Sequence, residues 1–259
     1  MQEDSLKWSN RSPGQGHISI VGLGPGGPQD MTPRATEALA QAKVVVGYRP
    51  YIALLGELAA SKEVVATGMT AEVERCQEAV RRAAQGQRVA VISSGDAGIY
   101  GMAGLVLQIL HQEDRAGRIG VEVVPGVTAA TAAAAALGAP LMHDFAVISL
   151  SDRLTPWETI ARRLNLAAQG DFVIVLYNPK SKTRTWQLSS AQEIILQYRS
   201  PATPVGVVRQ AGRPGQQVWI SDLASFLSLP VDMLSTVIIG NSQTQVLGKW
   251  MVTPRGYEL

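Results

Sequence analysis

The sequence is poor in the residues on which many functional sites depend. Cys76 is its single cysteine, which excludes an intrachain disulfide, and its three histidines are too scattered to bind a metal together. No apolar run approaches the length of a membrane span, and no basic run is interleaved with aromatic residues. We therefore expect neither a membrane nor a nucleic-acid partner, and the scarcity of cysteine favours a cytoplasmic location.

The composition is that of a globular enzyme. Apolar residues make up 46% of the 259 residues, charged residues make up 17%, and the formal net charge is +2. From residue 17 onward, apolar runs such as HISIVGL and DFVIVLY alternate with helix-like segments, the first of which should begin after a capping Thr32. This alternation predicts an α/β protein with mainly parallel sheets.

A break in the strand and helix rhythm at residues 137–144 predicts a domain boundary. We expect a flexible tail over residues 1–16, which has no apolar signal-peptide segment. A first α/β domain should then cover residues 17–139, and a second should cover residues 140–259.

One predicted helix has a clear apolar stripe. Val73, Cys76, Val80 and Ala83 recur at helical spacing, and Gly86 should end the helix. Cys76 is therefore interpreted as core packing rather than as a nucleophile, since a buried thiol without a nearby histidine or lysine is inert.

The motif VGLGPGG at residues 21–27 has the glycine spacing of a dinucleotide fingerprint. An NAD-dependent oxidoreductase is therefore one hypothesis. Against it, Pro25 and Pro28 remove two amide donors, the next helix starts only near Thr32, and no carboxylate follows the second predicted strand.

Three more loops follow predicted strands and combine glycine with small polar residues: SSGDAGIYG at 93–101, PGVTAATA at 125–132 and YNPKSKTR at 177–184. Ligands of open α/β sheets bind beyond the carboxyl ends of the strands, so these loops should face one cleft. The alternative is plain turn and cap chemistry, with Asp96 accepting backbone N–H groups and Thr128 capping the alanine-rich helix.

Taken in this order, the motifs resemble the tetrapyrrole methylases, a two-domain family that uses S-adenosylmethionine (SAM). The resemblance covers residues 17–259 and implies two α/β domains with mainly parallel sheets and a cofactor cleft between them. It also implies a homodimer and a cofactor held largely by main-chain groups. The cofactor residues it implies are Pro25, Gly95, Asp96, Ala97, Tyr100, Thr128, Ala129, Tyr177, Ala211 and Gly212.

Further motifs, MTPRA, GYRPY, VRQAGR and MVTPRGY, are similar to one branch of this family. That branch methylates C(17) of a corrin precursor in cobalamin biosynthesis and contracts its ring; methylation at another tetrapyrrole position, and a substrate with or without cobalt, stay open. The implied substrate carries many carboxylates, which arginine binds well. Candidate substrate-binding residues are Gly24, Arg34, Tyr48, Tyr51, Arg184, Arg209 and Arg255, with Arg49 and Arg213 as further candidates.

Methyl transfer to carbon needs alignment of two bound partners more than a protein nucleophile. Ring contraction would also need proton transfers, for which Asp96, Tyr48, Asp30 and His143 are candidates. The sequence does not select among them. Many relatives have an acidic residue directly after GPG, whereas this chain has Gly27 there.

Overall fold

The computed structural model describes residues 15–68, 70–114 and 117–258, which form two compact units. The first unit runs to Gly24 and continues over Met31–Gly126, and the second combines Pro25–Asp30 with the chain from Val127 onward. Residues 1–14 of the predicted tail lie outside the described residues. Gly16, at the end of that predicted tail, is buried against the carbonyl group of Ala83.

The first unit is a five-stranded sheet in the order β3-β2-β4-β1-β5, in which every pairing is parallel. Its strands are β1 (His17–Gly22), β2 (Val44–Tyr48), β3 (Glu63–Thr67), β4 (Arg88–Ser93) and β5 (Gly120–Val124). Its helices are α1 (Pro33–Gln41), α2 (Arg49–Ala53), α3 (Glu72–Ala84) and α4 (Ala103–Glu113).

Helices cover both faces of this sheet. Ile18 and Ile20 of β1 pack in one core cluster with α3 and α4, whereas Val21 packs in a second cluster with α1. This arrangement explains the near-continuous apolar runs of the central strands. As predicted, Thr32 caps α1, and its hydroxyl accepts a hydrogen bond of 3.1 Å from the amide of Ala35.

The predicted stripe of α3 is right at three of its four positions. Cys76, Val80 and Ala83 are buried, but the prediction for Val73 is wrong, because its side chain is 52% exposed. Val73 lies in the first turn, at the margin of the buried face of the helix, and Ala79 is a further buried residue on that face. Burial raises the pKa of the Cys76 thiol to about 12, against the opposing charge of the neighbouring arginine, so this thiol is not a nucleophile near neutral pH.

The second unit has a five-stranded sheet in the order β10-β9-β11-β8-β7 and a three-stranded sheet in the order β12-β13-β6. The strands are β6 (Gly138–Ala139), β7 (Phe145–Ser149), β8 (Val173–Tyr177), β9 (Pro204–Arg209), β10 (Gln217–Asp222), β11 (Ser235–Ile239), β12 (Gln245–Leu247) and β13 (Trp250–Val252). The helices are α5 (Ala129–Leu137), α6 (Trp157–Gln169) and α7 (Gln187–Leu196). Within the described part of the chain, no helix is long and apolar enough to span a bilayer.

The expectation of mainly parallel sheets is confirmed in the first unit and needs correction in the second. Only β7 and β8 pair in parallel in the larger sheet, whereas β11 pairs antiparallel with both β8 and β9, and β10 pairs antiparallel with β9. Parallel neighbours require a long crossover, and the links from β9 to β10 and from β10 to β11 contain no α-helix. Because β8 and β9 are both antiparallel to β11, they still run in the same direction.

The division into compact units differs from the expected boundary at residues 139 and 140. The alanine-rich helix α5 belongs to the second unit, because its buried face packs with Val208 of β9 and Ile238 of β11. Gly206 permits this contact, since a Cβ added there would lie 2.3 Å from the side chain of Leu137. The alanines of α5 thus give close helix-to-sheet packing.

A buried arginine organises the amino-terminal edge of the second sheet. The guanidinium of Arg199 donates to the carbonyl oxygens of Gly240, Phe172 and Ala168 at 2.6, 2.8 and 3.3 Å. It also lies 3.3 Å from a carboxylate oxygen of Asp171. Burial lowers the pKa of Arg199, while Asp171 opposes that shift. The side chain therefore holds three backbone segments together.

We predict that Arg199→Met destabilises the protein by roughly 3–5 kcal/mol, because it leaves buried carbonyl groups without donors and Asp171 without its cationic partner. Arg163→Met, on the exposed surface of α6, is the control and should change the free energy of unfolding by less than about 0.5 kcal/mol. Urea denaturation measures both. Equal stability of the two variants would contradict the role given to Arg199.

Candidate active site

The loops after β1 and β4 are joined by backbone hydrogen bonds at the carboxyl edge of the first sheet. Gly24 donates to Gly95 at 3.0 Å and accepts from it at 2.8 Å, and the amide of Leu23 donates to Ser93 at 2.9 Å. β1 lies between β4 and β5 in the sheet, so the loop after β5 is at the same edge. The loops after β1, β4 and β5 thus meet within this unit, and the expectation that the loops at 93–101, 125–132 and 177–184 face one cleft stays a prediction.

Glycine is required where these loops approach one another. A Cβ added to Gly126 would lie 2.3 Å from the carbonyl oxygen of Gly95, and one added to Gly22 would lie 2.7 Å from that same atom. Gly24 and Gly95 have positive φ angles of 75° and 68°, which side-chain-bearing residues rarely adopt. Gly22 and Gly24 of VGLGPGG therefore serve contact between backbones rather than a helix that binds pyrophosphate, since α1 begins only at Pro33.

Asp96 fastens the loop after β4 to the loop after β5. One carboxylate oxygen accepts from the amide of Gly98 at 2.7 Å, and the other accepts from the amide of Gly126 at 3.0 Å. Both oxygens are therefore engaged by the backbone, as the alternative of plain turn chemistry expects. Ala97 is fully buried beside it, whereas Tyr100 is 58% exposed and has a φ of 52°.

In the second unit, residues Pro25–Asp30 pack against the loop that follows β9. The carbonyl oxygen of Pro25 accepts from Nε of Arg213 at 2.6 Å. A Cβ added to Gly26 would lie 1.7 Å from the carbonyl oxygen of Gly212, and one added to Gly212 would lie 3.0 Å from a carboxylate oxygen of Asp30. Three predicted site residues, Pro25, Asp30 and Gly212, are thus brought together.

Tyr177, at the carboxyl end of β8, holds the start of α5. Its hydroxyl accepts from the amide of Ala130 at 2.6 Å and shares a hydrogen bond of 2.5 Å with the hydroxyl of Thr128. Thr128 makes no side-chain cap of its own, so the predicted cap is supplied by a tyrosine from a strand. Ala129 is half-buried in the first turn, and Ala211 and Tyr177 pack against the same core cluster.

The aromatic candidates for acceptor binding lie at the carboxyl end of β2. The rings of Tyr48 and Tyr51 meet edge to face, with centroids 5.2 Å apart and an interplanar angle of 88°. The guanidinium carbon of Arg75 lies 6.0 Å from the centroid of the Tyr48 ring. Arg75 is only 3% exposed, and the apolar stripe did not single it out. The available signal was a charged residue directly before Cys76 within a predicted helix.

Most arginines predicted to bind substrate have protein partners in the structure. Arg209 donates to Asp232 at 2.8 Å. Burial by itself would raise the pKa of Asp232, but the hydrogen bonds that this carboxylate accepts lower it overall. Its donors are Arg209, the Leu234 amide and the Ser235 hydroxyl. Arg34 is 52% exposed and lies 3.5 Å from Glu122. These contacts give both arginines a structural role.

The remaining arginine candidates differ in burial. Arg184 is 8% exposed, donates to the carbonyl oxygen of Asn178 at 2.7 Å, and has a pKa lowered by burial against the opposing charge of Asp152. Arg255 and Arg49 are exposed. The prediction that these side chains bind substrate stays open.

The proton-transfer candidates occupy different places in their units. His143 precedes the amino end of β7, and β7 runs parallel to β8, so His143 lies at the edge of that sheet opposite Tyr177. Asp30 lies beside Gly212, and Tyr48 lies above Arg75. Within the part of the chain that the structure describes, no group of three or more His, Cys, Asp or Glu side chains is arranged to hold a metal ion.

Comparison with known proteins defines the family. Residues 17–227 match the family described as Tetrapyrrole (Corrin/Porphyrin) Methylases. The chain therefore belongs to the tetrapyrrole methylase family.

Two curated relatives are similar over most of the chain. A probable cobalt-factor III C(17)-methyltransferase of Salmonella typhimurium is 50% identical over 244 residues, which cover 93% of this chain and 100% of that protein. A cobalt-factor III methyltransferase of Priestia megaterium is 48% identical over 246 residues, which cover 94% of this chain. The match spans only 46% of that longer relative.

Solved structures have the same fold. The methyltransferase CobJ superposes with a TM-score of 0.87 at 38% identity, covering 92% of this chain and 100% of its own. A uroporphyrin-III C-methyltransferase from Thermus thermophilus, solved with S-adenosylhomocysteine, has a TM-score of 0.67 at 25% identity, covering 87% of this chain and 97% of its own.

We predict that Gly126→Ala lowers the free energy of unfolding by about 1–3 kcal/mol, because its Cβ would overlap the carbonyl group of Gly95. Gly104→Ala is the matched control, since a Cβ there meets nothing within 4 Å and alanine favours the helix by up to about 1 kcal/mol. Urea denaturation compares the two variants. If both are equally stable, the close approach of these loops is not tight.

Proposed function

We propose that the protein is a SAM-dependent C-methyltransferase of cobalamin biosynthesis. Its acceptor is cobalt-factor III or its cobalt-free counterpart precorrin-3B, its target is C(17), and methylation is accompanied by ring contraction. The names of the curated relatives support the acceptor and the position. The S-adenosylhomocysteine complex of the Thermus enzyme supports the cofactor.

The observation that carries this proposal is the backbone convergence around Gly95. Gly24 and Gly95 exchange two backbone hydrogen bonds at the carboxyl edge of the first sheet, and the absence of side chains at Gly22 and Gly126 lets the three loops meet there backbone to backbone. Such a surface fits a cofactor held largely by main-chain groups. The cofactor supplies an electrophilic methyl group, and the protein has to orient it and the acceptor.

The residues that would hold SAM are those that the family resemblance implies, namely Pro25, Gly95, Asp96, Ala97, Tyr100, Thr128, Ala129, Tyr177, Ala211 and Gly212. The contacts favour a positioning role for Asp96, which orders two loops through backbone amides, and for Tyr177, which orders the start of α5.

No protein nucleophile is needed for this chemistry. Transfer from sulfonium to carbon is an in-line displacement, and holding two reactants at attack distance can supply about 7–11 kcal/mol of barrier reduction. The buried thiol of Cys76, whose pKa is about 12, is consistent with that requirement.

Proton transfer during ring contraction is assigned to Asp30 or Tyr48 in this proposal. Asp96 already has both carboxylate oxygens bonded to amides, and His143 lies at the other edge of its sheet from Tyr177. Asp30 is half-buried beside Gly212, and Tyr48 is half-buried at the end of β2.

We also propose that the protein acts in the cytoplasm as a homodimer. The single cysteine supports a reducing compartment, and the resemblance to the family supports the dimer. Analytical ultracentrifugation of the purified protein measures its oligomeric state.

The proposal predicts transfer of a ¹³C-labelled methyl group from SAM to C(17) of cobalt-factor III or precorrin-3B, read by NMR of the product. Both acceptors are supplied separately, which distinguishes the cobalt-containing substrate from the metal-free one. Label at another ring carbon would establish a different methylase of the same fold. Absence of label in both acceptors would refute the proposal.

Calorimetry with SAM and with NAD⁺ separates the proposal from the oxidoreductase hypothesis. We expect a binding signal with SAM and none with NAD⁺, because α1 begins too late for its amides to meet a pyrophosphate after VGLGPGG. NAD⁺ binding without SAM binding would favour the oxidoreductase.

A further inference from the structure

Arg75 is a buried cation at the carboxyl edge of the first sheet. It lies in the first half of α3 and is 3% exposed. Its partners come from the ends of neighbouring strands, which is the edge where the candidate cofactor loops meet.

The guanidinium contacts three segments besides its own helix. Nε donates to the hydroxyl of Thr67 at 2.7 Å, and one terminal nitrogen donates to the carbonyl oxygen of Gly68 at 3.0 Å. The other terminal nitrogen lies 3.9 Å from the sulfur of Met102. The ring of Tyr48 is 6.0 Å from the guanidinium carbon, within the range of a cation–π contact.

These contacts link the cofactor loop to the acceptor residues. Met102 ends the loop that contains Gly95 and Asp96, and its amide donates to the hydroxyl of Ser93 at 3.2 Å. Tyr48 supports Tyr51 through the edge-to-face contact. Arg75 therefore touches the end of the cofactor loop on one side and the aromatic pair on the other.

The charge of Arg75 has no carboxylate within 4.0 Å among the residues that the structure describes. A buried charge without an ionic partner is costly, and an apolar side chain of similar volume would pack at lower cost. A retained cation at this edge creates a positive potential, which favours an acceptor rich in carboxylates.

We propose that Arg75 is a positioning residue for the tetrapyrrole acceptor. It fixes the Tyr48 ring as an acceptor-binding surface and makes this edge of the sheet electropositive. The inference rests on the proposed function, because it assigns Tyr48 to the acceptor side of the same site.

The test compares Arg75→Met, Arg75→Lys, Tyr48→Leu and the double variant Arg75→Met/Tyr48→Leu. For Arg75→Met we expect the KM for the tetrapyrrole to rise about tenfold, while the Kd for S-adenosylhomocysteine stays within about twofold of wild type. Arg75→Lys, which keeps the charge, should recover part of that loss. The double variant should lose less than the sum of the two single losses, because part of the effect of Arg75 acts through the Tyr48 ring.

Arg81→Met is the matched control on the same helix. Arg81 is exposed and pairs with Glu78 on the surface. Its loss should therefore leave the KM for the tetrapyrrole and the Kd for S-adenosylhomocysteine unchanged. Melting temperatures of all variants show whether each is folded. If Arg75→Met does not fold, Arg75→Lys and Tyr48→Leu carry the test.

Three results would overturn the inference. They are an unchanged acceptor KM in folded Arg75 variants, equal weakening of acceptor and S-adenosylhomocysteine binding, and additive losses in the double variant. Absorbance titration with uroporphyrin III gives an acceptor affinity that does not depend on turnover. If the wild type binds uroporphyrin III but methylates neither corrin precursor, the proposed function is refuted, and the uroporphyrin III affinities of the variants still test the role of Arg75. If the wild type binds no tetrapyrrole, both proposals are refuted.

Discussion

The candidate site depends on one constraint, which is that three chain segments pass within backbone contact of one another at the carboxyl edge of a parallel sheet. Gly24 and Gly95 exchange two hydrogen bonds, and Gly126 approaches Gly95 so closely that no Cβ fits between them. The parallel order β4-β1-β5 brings the segments to that edge, and glycine allows the final approach. Asp96 then fixes the arrangement through two amides.

The second unit reaches a comparable result by different means. Its β8 and β9 run in the same direction although an antiparallel strand lies between them, so Tyr177 and the loop at Gly212 share one edge. There a tyrosine hydroxyl organises a helix start, and Gly212 packs against Pro25 and Asp30. In both units, therefore, hydrogen bonds and close packing order the backbone at the edges where the sequence motifs lie.

Sequence reasoning located these loops because glycine, proline and small polar residues follow apolar runs at each of them. It predicted the parallel first sheet correctly, since strands buried on both faces read as continuous apolar segments. It did not foresee the antiparallel β11, because a strand buried on both faces has the same apolar pattern in either direction. It also missed Arg75, whose partners Thr67 and Met102 are brought to it only by tertiary packing. The compact units divide before α5 rather than at the expected residues 139 and 140. The alanines of α5 indicate close packing, but they do not indicate which sheet the helix packs against.

Hydrogen exchange with and without S-adenosylhomocysteine shows whether the loops that meet at Gly95 bind the cofactor. We predict slower exchange of the amides in residues 94–102 and 126–130 when the ligand is bound, because their backbone forms the cofactor surface. The amides of α6, which packs on the face of the second unit's larger sheet opposite α5, should be unchanged. Ligand-dependent protection that leaves residues 94–102 and 126–130 unaffected would show that these loops do not form the cofactor surface.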